Sequence, residues 1–294
     1  MSWFQSEAYL KAFAESFCEK KDLIELKEGS FEKVGDKVVF LGMKPVLGGQ
    51  EVTDYGDIPD PTDWPEILKQ LKEKGYKKLQ LDYVREDSGT YTHFAPTSPP
   101  LRQGFAGLRR ASRVKQEVSP YIDLPKTWEE YLVRLPRRER KELKRKIKRL
   151  EETDSFYSCS EETVKADFED FVRLHRLSDP QKGKFMSEEM KQFFWQVKTM
   201  QAEGWRQYLC FLKLENKPVA SVMTLESDSE VWLYNSGFDP NYSYYSVGLL
   251  LKAYKIKKAI EEGKKRYDFL RGAERYKYDL GGKDLGLYRI EVDL

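Results

Sequence analysis

The segment 231–280 restricts the possible fold more than any other part of the sequence. Val231-Trp-Leu-Tyr-Asn-Ser-Gly-Phe238 is rich in β-branched and aromatic residues and predicts a strand, which the turn residues Asp239-Pro-Asn241 end. A helix is predicted from about Val247 to Glu262, and a second strand from Tyr267 to Leu270. Because a strand, a helix and another strand follow one another closely, we expect an α/β unit.

The predicted helix has one clear apolar face. Its apolar residues recur at three- and four-residue steps, at Leu249, Ala253, Ile256 and Ile260, while the other face carries Lys252, Lys255, Lys257 and Lys258. Ser246 is placed to cap the helix, and Gly263 is placed to end it.

Polar and aromatic side chains crowd the end of the second predicted strand. They are Arg271, Glu274, Tyr276 and Lys277. Strand ends are where α/β folds bind ligands. A carboxylate there can act as a base, a phenol can give a proton to a departing thiolate, and an arginine can hold an anion with two hydrogen bonds. The alternative is a surface salt-bridge cluster in which Arg271 and Arg275 pair with Glu274 and Asp279.

The elements before residue 231 extend the pattern. Two helices at roughly 162–177 and 187–203, with a loop at 178–183 between them, precede two strands that Glu215-Asn216 joins as a tight hairpin. These strands are predicted at 207–214 and 217–225, and a terminal strand is predicted at 286–294. The order is thus two helices, three antiparallel strands, one helix and further strands.

The first part of the chain predicts a smaller α/β unit. A helix at 5–17, a strand at 37–46, a helix from Thr62 to Lys74 and a strand at 78–84 precede a stretch rich in Ser, Gly, Pro, Thr and Arg. We interpret that stretch, 87–119, as a connection. The predicted domains are therefore residues 1–119 and 120–294.

The composition excludes several classes of protein. With 51 basic and 49 acidic residues the charges nearly cancel, so no global field attracts nucleic acid or a membrane. No signal peptide and no membrane-spanning apolar run is present, which predicts a soluble, cytoplasmic protein.

Cys18, Cys159 and Cys210 fit a reducing compartment better than a disulfide framework. Together with His93 and His175 they show no metal-ligand spacing, so no metal is expected. Motifs of hydrolases, nucleotide hydrolases and dinucleotide enzymes are absent as well.

One stretch is strongly basic. Residues 136–150 predict a helix in which Leu143, Ile147 and Leu150 form an apolar stripe and most other positions are cationic. Its basic part, 137–149, is either an ordinary solvated face or a docking surface for an anionic acceptor, a glycan phosphate or tRNA. The tyrosines around the turn after the first strand leave a similar choice between an acceptor groove and ordinary strand residues.

Two of these stretches carry a family resemblance. The run Tyr267-Asp-Phe-Leu-Arg-Gly-Ala-Glu-Arg-Tyr-Lys277, preceded by an Asp-Pro turn and a helix with Gly248 near its start, resembles the CelD/BcsL-like branch of the GNAT acyltransferase superfamily. The FemABX peptidoglycan-bridge enzymes are relatives of that branch. Pro136-Arg-Arg-Glu-Arg-Lys-Glu-Leu-Lys-Arg-Lys-Ile-Lys-Arg-Leu150 is similar to the basic helix that opens the family's acyltransferase domain. A fainter likeness, at 4–10 and 53–56, corresponds to the family's related first half.

The resemblance implies a fold and a donor site. The fold would be a tandem GNAT-like α/β (α+β) structure with mixed, largely antiparallel sheets flanked by helices and a degenerate first half. GNAT enzymes bind the donor's pyrophosphate on amides at a helix N-terminus. The corresponding residues are Tyr245, Ser246, Val247, Gly248, Leu249 and Leu250. Of the family's usual Gln/Arg-x-x-Gly-x-Gly/Ala pattern, this sequence keeps only the central glycine, Gly248. The alternative to a donor site is a buried helix start in which this glycine allows close packing.

The resemblance also implies an activity. It is the transfer of an acyl group from acyl-CoA, such as acetyl-CoA, to an amine on a sugar, an amino acid or a cell-envelope precursor. Glu274 would be the base and Tyr276 the acid, with Tyr234, Arg271 and Lys277 binding substrate. Two alternatives stay open: a FemABX-like aminoacyl transfer from charged tRNA, and a non-catalytic binding module with this fold.

Overall fold

The computed structural model describes residues 3–27, 29–47, 49, 51–57, 63–94, 111–162 and 164–294. The chain divides into two compact units, Met1–Val118 with Leu285–Leu294 and Ser119–Asp284. In chain order the elements are α1 (Glu7–Phe17), β1 (Leu23–Leu26), β2 (Gly29–Val34), β3 (Lys37–Phe40), α2 (Trp64–Glu73), β4 (Lys78–Arg85), α3 (Gly89–His93), β5 (Ser112–Asp123), α4 (Trp128–Arg134), α5 (Arg137–Glu151), β6 (Ser155–Ser160), α6 (Lys165–Ser178), α7 (Pro180–Phe185), α8 (Glu188–Thr199), β7 (Arg206–Leu214), β8 (Lys217–Glu226), β9 (Glu230–Phe238), α9 (Val247–Glu261), β10 (Arg266–Asp268), α10 (Arg275–Asp279) and β11 (Lys283–Asp293).

The first unit is a small mixed sheet with helices. β1, β2 and β3 pair in antiparallel order, β3 pairs with β4 in parallel, and β11 adds to the far side of β4. Phe31, Trp64 and Leu71 are buried in its core. The two-domain division stays a prediction. The structure groups the C-terminal residues with the first unit, because β11 forms its ladder with β4.

The predicted connection at 87–119 contains regular structure at both ends. α3 lies in its first part, and β5 begins before its end. The sequence signal for β5 is weak because the first half of this strand is polar and partly exposed. Residues 95–110 lie outside the described residues, as does Thr62. Asp63 caps α2 instead, since its side chain accepts a hydrogen bond from the Glu66 N–H at 3.1 Å.

The second unit is built on a mixed, mostly antiparallel sheet. Its strands follow the order β5, β10, β9, β8, β7 and β6, and only β9 and β10 pair in parallel. The predicted hairpin at Glu215-Asn216 is confirmed, with both residues at positive φ (50° and 64°). This geometry matches the twist of the flanking strands. The predicted order of helices and strands is therefore correct for this unit apart from the short helices α7 and α10, which were not predicted.

Helices cover both faces of this sheet. One face packs against α4, α5 and α9 around an apolar cluster that includes Val231, Leu233 and Ile256. The opposite face is covered by α6 and α8. A Cβ at Gly237 of β9 would lie 2.3 Å from the His175 backbone nitrogen of α6. Only a glycine therefore allows α6 to lie this close to the strand.

Two local features differ from the sequence interpretation. The predicted loop at 178–183 contains α7, because Asp179 accepts a 2.7 Å hydrogen bond from the Gln181 N–H and Pro180 suits the first helical position. In addition, Cys159 and Cys210, opposite each other on β6 and β7, form a disulfide. The interpretation that the cysteines would not form disulfides was wrong for this pair.

Candidate active site

The candidate site lies where β9 continues beyond β10. The parallel pairing ends at Asp268 opposite Trp232, whereas β9 runs on to Phe238. After β10 the backbone turns sharply, with Leu270 at φ 59° and Gly272 at φ 106°. The second half of β9, this turn, α10 and the first turn of α9 therefore supply the candidate residues.

Lys277 holds the turn together. Its side chain is buried, and its Nζ donates to the carbonyl oxygens of Leu270 (2.9 Å), Arg271 (2.7 Å) and Gly272 (2.9 Å). It also forms a 2.9 Å ion pair with Glu274. The three N–H donors of this ammonium are thus committed to the protein. The geometry gives Lys277 a structural task, while its predicted contact with substrate stays a prediction.

Glu274 immediately precedes α10 and is exposed. Its carboxylate is fixed on one side by Lys277. A Cβ at Gly272 would lie 2.6 Å from the Glu274 Oε2, and the φ of Gly272 disfavours any other residue. The turn therefore presents the carboxylate toward solvent in a defined position. Arg275 pairs with Asp279 at 2.8 Å, so these two residues do form part of the predicted salt-bridge cluster.

Tyr276 is half-buried beside this carboxylate. Its ring meets Phe269 edge-on, with 6.1 Å between the centroids. Burial raises the pKa of the phenol well above its usual value, and the charge of Glu274 raises it further. The phenol consequently keeps its proton over the whole physiological range.

Lys252 is a site residue that the sequence interpretation missed. It was placed on the polar face of α9, but it is only 6% exposed. Its Nζ donates to the Gly248 carbonyl at 3.1 Å and lies 4.7 Å from the centre of the Tyr276 ring. Burial and the charge of Lys182 lower the pKa of Lys252 to about 7.

The expectation of one lysine face on α9 was also wrong for Lys255. This residue is buried and forms a 2.5 Å ion pair with the buried Glu226. A usable signal was present in the sequence, because the first turns of α9 are apolar on almost every side apart from Lys252. Such a helix is usually buried all round.

Lys182 is the second residue that the sequence did not indicate. It projects from α7 and donates to the Ser236 carbonyl of β9 at 2.8 Å. Burial lowers its pKa, and the charges of Glu274 and Asp179 oppose that shift. Lys182 therefore belongs to the same electrostatic neighbourhood as Glu274 and Lys252.

The predicted donor site at the start of α9 is only partly open. Ser246 is left-handed (φ 56°) and makes no side-chain cap, contrary to the prediction, while its carbonyl accepts from the N–H groups of Leu249 and Leu250. A Cβ at Gly248 would lie 3.0 Å from the Phe238 ring, which favours the close-packing alternative for this glycine. The amides of Val247 and Gly248 remain for an anion, since the first amides of a helix lack internal partners.

No side chain of residues 245–250 is fully exposed. Those of Val247 and Leu250 are buried, and Tyr245 meets the exposed Tyr244 edge-on at 5.1 Å. Gly263 ends the helix at φ 73°, as predicted. Any donor contact here would therefore rely on backbone amides.

Tyr234 points away from this group. It is buried and stacks on Phe194 of α8, with 5.4 Å between the ring centroids. His175 packs in the same region against Phe185, which agrees with a packing role. The structure thus brings Arg271, Glu274, Tyr276 and Lys277 together and places Tyr234 in an aromatic cluster.

Two further features bear on the predicted partners. Within the residues described, no three His, Cys, Asp or Glu side chains form a group that could hold a metal ion. No helix in that part of the chain has the length and apolar character that crossing a membrane requires.

Comparisons with known proteins give the same picture of the fold. Residues 137–278 match the acetyltransferase (GNAT) domain family. The structure is similar to FemX (TM-score 0.61, 11% identity, covering 100% of this chain and 92% of that one). It is also similar to the C-terminal domain of a putative lysylphosphatidylglycerol synthetase from Agrobacterium fabrum (TM-score 0.60, 11% identity, 98% and 88% covered). A third similar structure is L-PGS from Bacillus licheniformis (TM-score 0.58, 16% identity, 97% and 91% covered). No curated protein matches the sequence.

These identities are low, so the similar structures establish the fold. The domain match covers α5 to α10, which includes every element that contributes to the candidate site. The chain therefore has a GNAT acetyltransferase fold, with the GNAT domain in its second unit.

Proposed function

We propose that the second unit is an N-acyltransferase that moves an acyl group from acyl-CoA to a primary amine. The observation that carries this proposal is the convergence of Glu274 and Tyr276 beside the first turn of α9, within a GNAT domain. We further propose that the chain belongs to the CelD/BcsL-like branch and is a cytoplasmic enzyme whose acceptor is a sugar, an amino acid or a cell-envelope precursor.

The proposed reaction needs one proton acceptor and one proton donor. The amine nitrogen attacks the thioester carbonyl carbon, and Glu274 takes the proton that the nitrogen loses. The tetrahedral intermediate then collapses, so the C–N bond remains and the C–S bond breaks. The departing sulfur receives the Tyr276 proton. The products are an amide and free CoA, and bulk water restores both side chains.

The geometry supports these roles. Lys277 fixes the Glu274 carboxylate at 2.9 Å, which keeps the base in place without a rearrangement during the reaction. Tyr276 keeps its proton because burial raises its pKa. The raised pKa also makes Tyr276 a weaker acid than a free phenol, so its proton passes to the sulfur only as negative charge develops there during C–S cleavage.

Binding of the donor is proposed at the start of α9. The amides of Val247 and Gly248 and the positive end of the helix dipole favour an anion there. Calorimetry with acetyl-CoA, followed by a free-thiol assay with sugar amines and amino acids as acceptors, tests the proposal. Binding heat together with amine-dependent thiol release supports it, whereas no heat at millimolar acetyl-CoA contradicts it.

A second candidate donor is aminoacyl-tRNA, and α5 is the observation that favours it. Arg137, Lys141, Lys144 and Lys148 are exposed and recur at steps of four, three and four residues, so they form one basic stripe. None of them has an ion-pair partner among the residues described. Such a stripe suits a phosphate backbone. Salt-dependent tRNA binding without acetyl-CoA binding would favour this donor.

A further inference from the structure

Two lysines in the candidate site, the buried Lys252 and the half-buried Lys182, form no ion pair within the described residues. Lys252 makes one hydrogen bond, to the Gly248 carbonyl, and Lys182 makes one, to the Ser236 carbonyl. Each ammonium has three N–H donors. Within the described chain, two donors on each are therefore without a hydrogen-bond partner.

Other lysines near the site do have partners for their N–H donors. Lys277 fills its donors with three carbonyls of the turn and also takes the Glu274 carboxylate. Lys255, on the same helix as Lys252, pairs directly with Glu226. Both of these buried lysines are satisfied, unlike Lys252 and the half-buried Lys182, while outside the site the buried Lys198 also makes a single hydrogen bond.

The local charges are unbalanced. Lys182, Lys252 and Lys277 act on one another electrostatically; the charge of Glu274 reaches both Lys182 and Lys252, and that of Asp179 reaches Lys182. The Tyr276 ring offsets part of the charge of Lys252, but an aromatic face replaces a counterion only partly. Burying the Lys252 cation in this way, with the half-buried Lys182 near it, costs free energy unless an anion joins them.

We propose that Lys182 and Lys252 form an anion subsite that binds a negatively charged oxygen group of a substrate beside Glu274 and Tyr276. Two N–H donors on each ammonium are available, and lysine takes carboxylate and phosphate oxygens alike. The group is either a carboxylate on the amine acceptor or a phosphate of the donor. This inference rests on the proposed transfer site, but binding can be measured without the reaction.

The probes are sodium acetate and sodium pyrophosphate, titrated calorimetrically into the full chain. Lys252→Met and Lys182→Met keep the length of the side chain and remove its charge. Each should weaken binding of the preferred probe by roughly tenfold or more, as expected for the loss of a charge-assisted hydrogen bond. Lys257→Met is the matched control, because Lys257 is an exposed lysine on the same helix.

The preferred probe identifies the source of the anion. Tighter acetate binding indicates an acceptor carboxylate, and tighter pyrophosphate binding indicates the donor. Equal binding by wild type and both variants, or no binding of either probe at millimolar concentration, overturns the subsite.

Thermal unfolding separates binding from a structural role. Removing a buried cation that has no counterion should leave the melting temperature unchanged or raise it. A clear fall in melting temperature for both variants would assign the lysines to the fold and contradict the proposal.

Thiol release is measured on the same proteins. Lost anion binding in the variants without any thiol release in wild type would keep the subsite and reject acyl transfer. Thiol release in wild type together with unaltered anion binding in both variants would support acyl transfer and reject the subsite.

Discussion

The Lys252 ammonium lies 4.7 Å from the centre of the Tyr276 ring, so a residue of α9 and a residue of α10 share one electrostatic environment. Burial and the charge of Lys182 lower the pKa of Lys252 to about 7, while Glu274 opposes the shift. The charge of the Lys252 side chain is consequently sensitive to pH and to any anion that binds near it.

The stability of the protein should depend on the protonation of Lys252. Its pKa falls from the ordinary lysine value of 10.5 to about 7 in the fold, so between these values the unfolded chain holds a proton that the folded chain has lost. The free energy of unfolding should therefore rise with pH across this window. Urea unfolding at both ends of the window measures the slope, and Lys252→Met should reduce it. Identical slopes in both proteins would show that Lys252 titrates normally.

Glu274→Gln should lower turnover by roughly a hundredfold, the usual contribution of general base catalysis. Glutamine still accepts a hydrogen bond from Lys277, so the turn should keep its geometry. The defect should shrink at high pH, where the amine is already neutral. The thiol-release assay over a pH series measures this, with the exposed Glu129→Gln of α4 as control. A pH-independent defect with a lower melting temperature would instead indicate a structural role.

Tyr276→Phe should slow acyl transfer when departure of the thiolate limits the rate. The phenylalanine ring retains the contact with Lys252, so binding and stability should change little. An activated thioester with a more acidic thiol needs no proton donor, and its transfer should be nearly unaffected. Rates for both thioesters are compared in wild type and variant. Equal defects for both would reject Tyr276 as the acid.

Lys277→Met should destabilise the second unit. It would leave the carbonyls of Leu270, Arg271 and Gly272 without their donor, and loss of the partner of a buried polar group costs about 1–3 kcal/mol per group. Urea unfolding should show a lower midpoint with an unchanged slope. Lys257→Met provides the exposed comparison. A variant as stable as wild type but unable to bind substrate would favour the substrate-binding prediction for Lys277.

The basic stripe of α5 should bind polyanions if the tRNA alternative holds. Replacing Arg137, Lys141, Lys144 and Lys148 with glutamine should weaken binding of bulk tRNA and flatten its salt dependence, by roughly one unit of log–log slope per lost phosphate contact. Gel shifts at rising salt measure this. The exposed pair Lys257→Gln and Lys258→Gln serves as control. Absent or salt-insensitive binding in wild type would leave α5 as a solvated helix.

The sequence alone determined the order of the long helices and strands in the second unit, whereas the short helices α7 and α10 were not predicted. Local rules suffice for the Glu215-Asn216 turn and for the glycine that ends α9, because each depends on the conformation of neighbouring residues. The closeness of Glu274, Tyr276 and Lys277 was also readable, since these residues lie within one turn and one short helix.

Only the tertiary structure decided which polar residues are buried. Periodicity placed Lys252 and Lys255 on a polar face, but the sheet on one side and α4 and α5 on the other enclose α9. Lys182 reaches the site through its hydrogen bond from α7 to the Ser236 carbonyl of β9, and Tyr234, at the β-bulge of that strand, packs on Phe194 of α8. These outcomes depend on contacts between distant parts of the chain, which the spacing of residues within a single element does not specify.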